Sequence, residues 1–116
     1  MNKSRRKHLI AVLAIMRKLK DLNDCKEALE QLKIAEKTLN DVTEEEQISF
    51  DCLPENMQWG SRGDVFKDNL DNLNDAQVDL GMIVEAYENA DENPYKSVKK
   101  EIASVIKDCT EAIERR

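Results

Sequence analysis

Residues 9–42 read LIAVLAIMRKLKDLNDCKEALEQLKIAEKTLNDV, and the spacing of their apolar positions decides the fold. These positions recur in steps of three and four, which is the period of a helix that packs along its whole length. Ser4 can cap the free amides at the start of such a helix. Pro54 ends it, because proline donates no backbone hydrogen bond and disfavours helix at the residue before it. The sequence therefore predicts one helix over residues 4–51 and a turn over residues 52–60.

Two more helices are predicted after this turn. Ser61 and Asp64 place a hydroxyl and a carboxylate at the positive end of a helix over residues 61–89. Asn93, followed by a proline, begins a helix over residues 93–115. The 116 residues are thus predicted to form one all-α domain, a long antiparallel helical hairpin of coiled-coil type with a third, C-terminal helix.

The two arms of this hairpin differ in length. The first arm outruns the second, so its apolar positions between Leu9 and Leu22 need cover from the third helix or from a second chain. We therefore expect a dimeric helical bundle, a homodimer with an isologous interface.

Charge is strongly segregated along the chain. The first twenty residues carry seven basic side chains and no acidic one, whereas residues 21–92 carry twenty carboxylates against five basic groups. The formal net charge is −6. The basic cluster is a solvated N-terminus, a contact for nucleic acid, or a partner for the acidic part of another subunit. Its members are Lys3, Arg5, Arg6, Lys7, Arg17 and Lys20.

The helix over residues 61–89 also carries a row of aspartates beside its apolar stripe. Their spacing of three and four residues places them on one helix face. This acidic row is a solvated face, a surface that docks on a basic partner, even as an imitation of a phosphate backbone, or a surface that docks on the basic N-terminal segment of the same chain or of another subunit. Its members are Asp64, Asp68, Asp71, Asp75 and Asp79.

Catalytic and metal-binding patterns do not emerge from the sequence. His8, the single histidine, has no Ser, Cys or carboxylate at a useful spacing, so we expect no enzyme, no cofactor and no metal site. Cys25, Cys52 and Cys109 are isolated from one another, which favours reduced thiols in a cytoplasmic protein. Cys52 is the thiol expected at the surface. No segment has the length of apolar sequence that a membrane span needs.

The turn holds one further candidate site, made of Pro54, Asn56 and Trp59. Trp59 is the single tryptophan of the chain. It either seals the open end of the hairpin or anchors a partner, since tryptophan is frequent among interface hot spots.

Three segments resemble a known group of proteins. They are the start MNKSRRK, the turn PENMQ over residues 54–58, and DNLNDA over residues 71–76. Together they resemble small helical-hairpin proteins of unknown function that are encoded by phages and mobile elements of Gram-positive bacteria. The resemblance covers roughly residues 1–90. It implies an architecture and a genomic setting, and no activity.

We therefore expect a non-enzymatic protein of phage or mobile-element origin that binds another protein, such as a protein of the host, through a helical surface. One alternative is an acidic nucleic-acid mimic that inhibits a host defence enzyme. Another is a DNA-associated accessory factor that works through the basic N-terminus, although nucleic acid is the less expected partner.

Overall fold

All regular structure in the described part of the chain is helical. The computed structural model describes residues 1–114, which contain no strand, and this confirms the predicted all-α class. The elements are α1 (Lys3–Lys18), a 3-10 turn (Leu19–Asp21), α2 (Cys25–Asp51), α3 (Glu55–Gln58), α4 (Ser61–Glu88) and α5 (Tyr95–Glu114). Residue 115, the predicted last residue of the third helix, lies outside the described residues.

The single helix predicted over residues 4–51 is wrong, because the chain leaves the helical conformation before Cys25. Leu22 and Asp24 are extended, with ψ angles of 103° and 112°. The Asp24 carboxylate accepts a hydrogen bond from the Lys26 amide at 2.9 Å and so begins α2. At the other end, Asn2 rather than Ser4 caps α1, since its side-chain oxygen accepts from the Arg5 amide at 2.8 Å.

The break lets α1 fold back, and the long helices form a four-helix bundle. α2 and α4 are antiparallel, because Glu46 bonds to Asn69 whereas Asn40 bonds to Gln77. α5 returns along α4 and also lies beside α1, so that each long helix contacts two neighbours in the order α1, α2, α4, α5. The bundle measures 52 × 21 × 19 Å.

The apolar residues of α1 are covered within the chain. Leu9 and Leu19 are fully buried, as are Val12 and Met16 beside them. The homodimer was predicted because these side chains need cover from the third helix or from a second chain, and the chain itself supplies that cover. The dimer itself stays a prediction.

The connection between α2 and α4 is tightly packed. Gln58 donates to the carbonyl oxygens of Phe50, in the last turn of α2, and of Leu53, just after it, at 3.3 and 3.1 Å, and so ties α3 to the end of α2. Gly63 sits against this segment, and a Cβ there would overlap the Gln58 backbone carbonyl. A glycine is therefore required for the close approach of α4 to the turn.

Candidate interaction surfaces

The predicted acidic row does not form one uniform surface. Asp64, Asp71 and Asp75 are exposed on α4. Asp68 is exposed too, but it takes part in a further interaction within the chain. Asp79 is half-buried and accepts a hydrogen bond from the Ser104 hydroxyl of α5 at 2.8 Å. Asp79 therefore has a structural role between two helices.

Two exposed apolar side chains share the outer side of α4 with the free aspartates. Val78 is 65% exposed and Met82 is 52% exposed. Each lies seven residues, about two helical turns, after an aspartate of the row, namely Asp71 and Asp75. Sequence reasoning missed these two residues, although they continue the three-and-four spacing of the row. We call the set Asp64, Asp71, Asp75, Val78 and Met82 the α4 outer face.

Carboxylates also gather where α4 packs on α5. Burial raises the pKa of Asp108, and the nearby charges of Asp75, Asp79 and Glu111 raise it further. Folding therefore costs free energy when Asp108 is charged. The pKa of Asp108 is higher in the folded chain than its ordinary 3.8. The protonated carboxyl therefore adds to the free energy of unfolding at low pH, and this contribution is lost as the pH rises through the folded-state pKa.

The variant Asp108→Asn is expected to raise the melting temperature at pH 7, because it removes a charge that burial and three neighbours disfavour. The gain should shrink as pH falls through the raised folded-state pKa of Asp108 and should be gone below its ordinary value of 3.8. Thermal melts from pH 3 to pH 8 measure this. Glu114→Gln, an exposed carboxylate on the same helix, is the control. An equal gain from both variants would assign the effect to net charge alone.

The predicted basic cluster is divided by the fold. The first turns of α1 carry Lys3, Arg6 and Lys7. About 15–20 Å further along the axis of α1 lie Arg17, near its end, and Lys20, in the 3-10 turn that follows. The prediction that Arg5 binds a partner is wrong. Its side chain is 10% exposed and points into the bundle.

Arg5 instead belongs to a buried polar network that links three helices. Its Nε lies 3.1 Å from Oε1 of Glu46, which is fully buried on α2. The other oxygen of Glu46 accepts from the side-chain amide of Asn69, at 3.2 Å. All three residues occupy positions in the apolar stripes, so the spacing itself could have placed them in the core. The network fixes α1, α2 and α4 relative to one another.

The turn candidates have different environments. Pro54 and Asn56 are exposed, and the Pro54 carbonyl accepts the first hydrogen bonds of α3. Trp59 is 75% exposed, so the expectation that it seals the end of the bundle is wrong. The Lys67 ammonium lies 4.5 Å from the Trp59 ring centroid, a cation–π contact.

A cleft of about 570 Å³ opens at the same end of the molecule. It lies between the first turns of α1 and α4, and its lining combines the basic Arg5 and Arg62 with the apolar Val65 and Phe66. Phe66 in turn packs on Phe50, with ring centroids 6.2 Å apart. The cleft leads from the surface to the edge of the buried polar network.

The cysteines occupy three different environments. Cys52 is exposed as predicted, Cys109 is buried, and Cys25 is half-buried. Burial raises the pKa of Cys109 to about 12, so this thiol stays protonated at neutral pH. Within residues 1–114, no group of three or more His, Cys, Asp or Glu side chains has the arrangement of a metal site. None of the helices described there is long and apolar enough to cross a membrane.

Comparison with known proteins adds nothing to these surfaces: neither the scan against family models nor the searches of curated proteins and solved structures returned a match for this chain.

Proposed function

We propose that this chain is a non-enzymatic protein-binding module whose α4 outer face takes a basic surface of another protein. The supporting observation is the placement of two exposed apolar side chains among free carboxylates. Apolar contacts at the centre of an interface supply affinity, and charges around them supply orientation and specificity. A partner of matching chemistry presents lysine or arginine on either side of an apolar residue.

Two features of the row favour a protein partner over the mimicry of nucleic acid. Asp79, at one end of the row, is half-buried and accepts a hydrogen bond from Ser104, so it does not belong to an open acidic surface. Val78 and Met82 place exposed apolar surface beside the other aspartates, whereas a phosphate backbone presents none. The proposal includes a phage or mobile-element setting, which rests on the resemblance of the three sequence segments. It also includes a cytoplasmic location, which rests on the isolated cysteines.

Photo-crosslinking tests this proposal. A photoreactive residue at Val78 is expected to capture a basic partner in cells that encode the protein. The double variant Asp71→Asn, Asp75→Asn should lower that yield about tenfold, if each carboxylate contributes ~0.7 kcal/mol. The melting temperature should stay unchanged or rise slightly, because both carboxylates are exposed and removing them relieves repulsion on the helix.

Ile34 provides the matched control position. It is 55% exposed on α2, so a photoreactive residue there reports the capture of any abundant protein. Capture at Val78 that exceeds capture at Ile34 and depends on the two carboxylates supports the proposal. Equal capture at the two positions, or capture at Val78 that the double variant leaves unchanged, would overturn it.

A further inference from the structure

The fold brings together basic side chains from the two ends of the sequence. α1 and α5 lie side by side, and a hydrogen bond of 3.0 Å from the Asn93 side chain to the Leu22 carbonyl sets their register. In that register Arg17 lies beside the first turns of α5. Both helices carry basic residues at steps of three and four on their outer sides. We call this surface the basic face; its members are Lys3, Arg6, Lys7, Arg17, Lys96, Lys99, Lys100 and Lys107.

The two flanks of α1 face different helices. His8 lines a small pocket with Thr38 and Asp41, so its flank faces α2. Arg6 and Arg17 lie on the opposite flank, because each residue turns the helix by about 100°. That flank faces α5. The basic residues of α1 other than Arg5 therefore point to solvent or toward the lysines of α5.

The acidic residues of α5 point the other way. Ser104 bonds to Asp79 of α4, and Asp108 lies near Asp75 and Asp79. Glu111 contributes to the same cluster. The four lysines of α5 are exposed on its outer side, and Glu114, in the last described turn, is the exposed carboxylate that shares this side. Asp108 and Glu111 of α5 thus lie toward α4, whereas its four lysines are exposed on the outer side of the helix.

We propose that the basic face binds the phosphate backbone of a nucleic-acid duplex. From Lys3 to Arg17 it extends about 21 Å, which corresponds to roughly six base pairs at ~3.4 Å each. Lysines act as point charges that suit phosphates without reading bases. Ile10 is the large apolar side chain that this face exposes, whereas insertion into a bilayer relies on several. The α1 part of the basic face lies across the bundle from α4, its α5 part lies on the neighbouring helix, and it shares no residue with the α4 outer face. It therefore does not depend on the proposed protein partner.

Binding to a 20-base-pair DNA duplex, measured by fluorescence anisotropy at several salt concentrations, tests the inference. Contact with four to six phosphates predicts a slope of log K against log salt of about −4 to −5, hence a loss of roughly 10²–10³-fold between 50 and 200 mM salt. The triple variant Lys96→Gln, Lys99→Gln, Lys107→Gln should reduce affinity at least tenfold and make the slope shallower by about 2–3.

A second triple variant controls for net charge. Lys26→Gln, Lys33→Gln, Lys37→Gln removes the same charge from exposed lysines of α2, and it should leave affinity and slope near those of the parent. Vesicles with anionic lipid provide the comparison with a membrane surface. Selective loss in the α5 variant supports the inference. Absence of duplex binding by the full chain at 50 mM salt, equal losses in both variants, or binding to vesicles without binding to the duplex would each overturn it.

Discussion

Leu73→Asp is expected to abolish the folded bundle. Leu73 lies in the middle of α4 and is completely buried, so the substitution places a carboxylate among apolar side chains with no cation beside it. An unpaired buried charge costs several kcal/mol, and the loss of the leucine adds about 2–5 kcal/mol. The free energy of unfolding of a domain this size is only about 5–15 kcal/mol. Far-UV circular dichroism during heating measures the outcome.

The neighbouring residue provides the control for Leu73→Asp. Asn74 is exposed, so Asn74→Asp adds the same charge to the same helix turn without burying it. Its effect should stay within about 0.5 kcal/mol. A cooperative melt of Leu73→Asp within a few degrees of the parent would contradict the packing of α4 described above.

Glu46→Ala is expected to lower the free energy of unfolding by about 3–5 kcal/mol. The variant leaves the Arg5 guanidinium buried without its carboxylate and removes the acceptor of the Asn69 amide. Because the pair is shielded from solvent, the loss should depend little on salt concentration. Equilibrium unfolding in urea at low and high salt measures both quantities.

A double variant separates the charge from the contact. Arg5→Met with Glu46→Leu replaces the pair by apolar side chains of similar size, and such replacements are often neutral or stabilising. We expect the double variant to recover the part of the loss that comes from the unpaired Arg5 guanidinium, whereas the buried Asn69 amide stays without its acceptor in both variants. A cost below about 1 kcal/mol for Glu46→Ala, or a double variant that is as unstable as the single one, would show that the network contributes little.

Local sequence signals predicted most of the helix boundaries. Pro54 ends the second long helix near where the proline rule places the end, and the Ser61 start is reproduced by α4. The break before Cys25 was missed because Leu19, Leu22 and Cys25 keep a step of three through it. Periodicity shows which side of the chain faces the core but not whether the chain is helical, and the extended Leu22 still points inward, where it is half-buried. The sequence signal for a new helix start was Asp24, which caps α2.

The surfaces were only partly predictable for a related reason. Spacing correctly placed Asp64, Asp71 and Asp75 on one exposed side of α4, since this depends on a single helix. The pairing of Arg5 with Glu46 depends on α1 folding back, which the continuous-helix prediction did not allow. Arg17 and the lysines of α5 share one surface only because α1 folds back along the bundle. Features that require two helices to meet were therefore beyond the reach of periodicity.

The contact between α1 and α5 also has a kinetic consequence. Leu22 and Asn93 are 71 positions apart, whereas the Glu46–Asn69 contact between α2 and α4 spans only 23. Forming a contact between residues that are distant in sequence closes a longer loop, which costs more chain entropy and slows folding. The hairpin of α2 and α4 is the part that a growing chain on the ribosome can complete early. Closure of the bundle must wait for α5, so the basic face does not exist until residues 95–114 have been made.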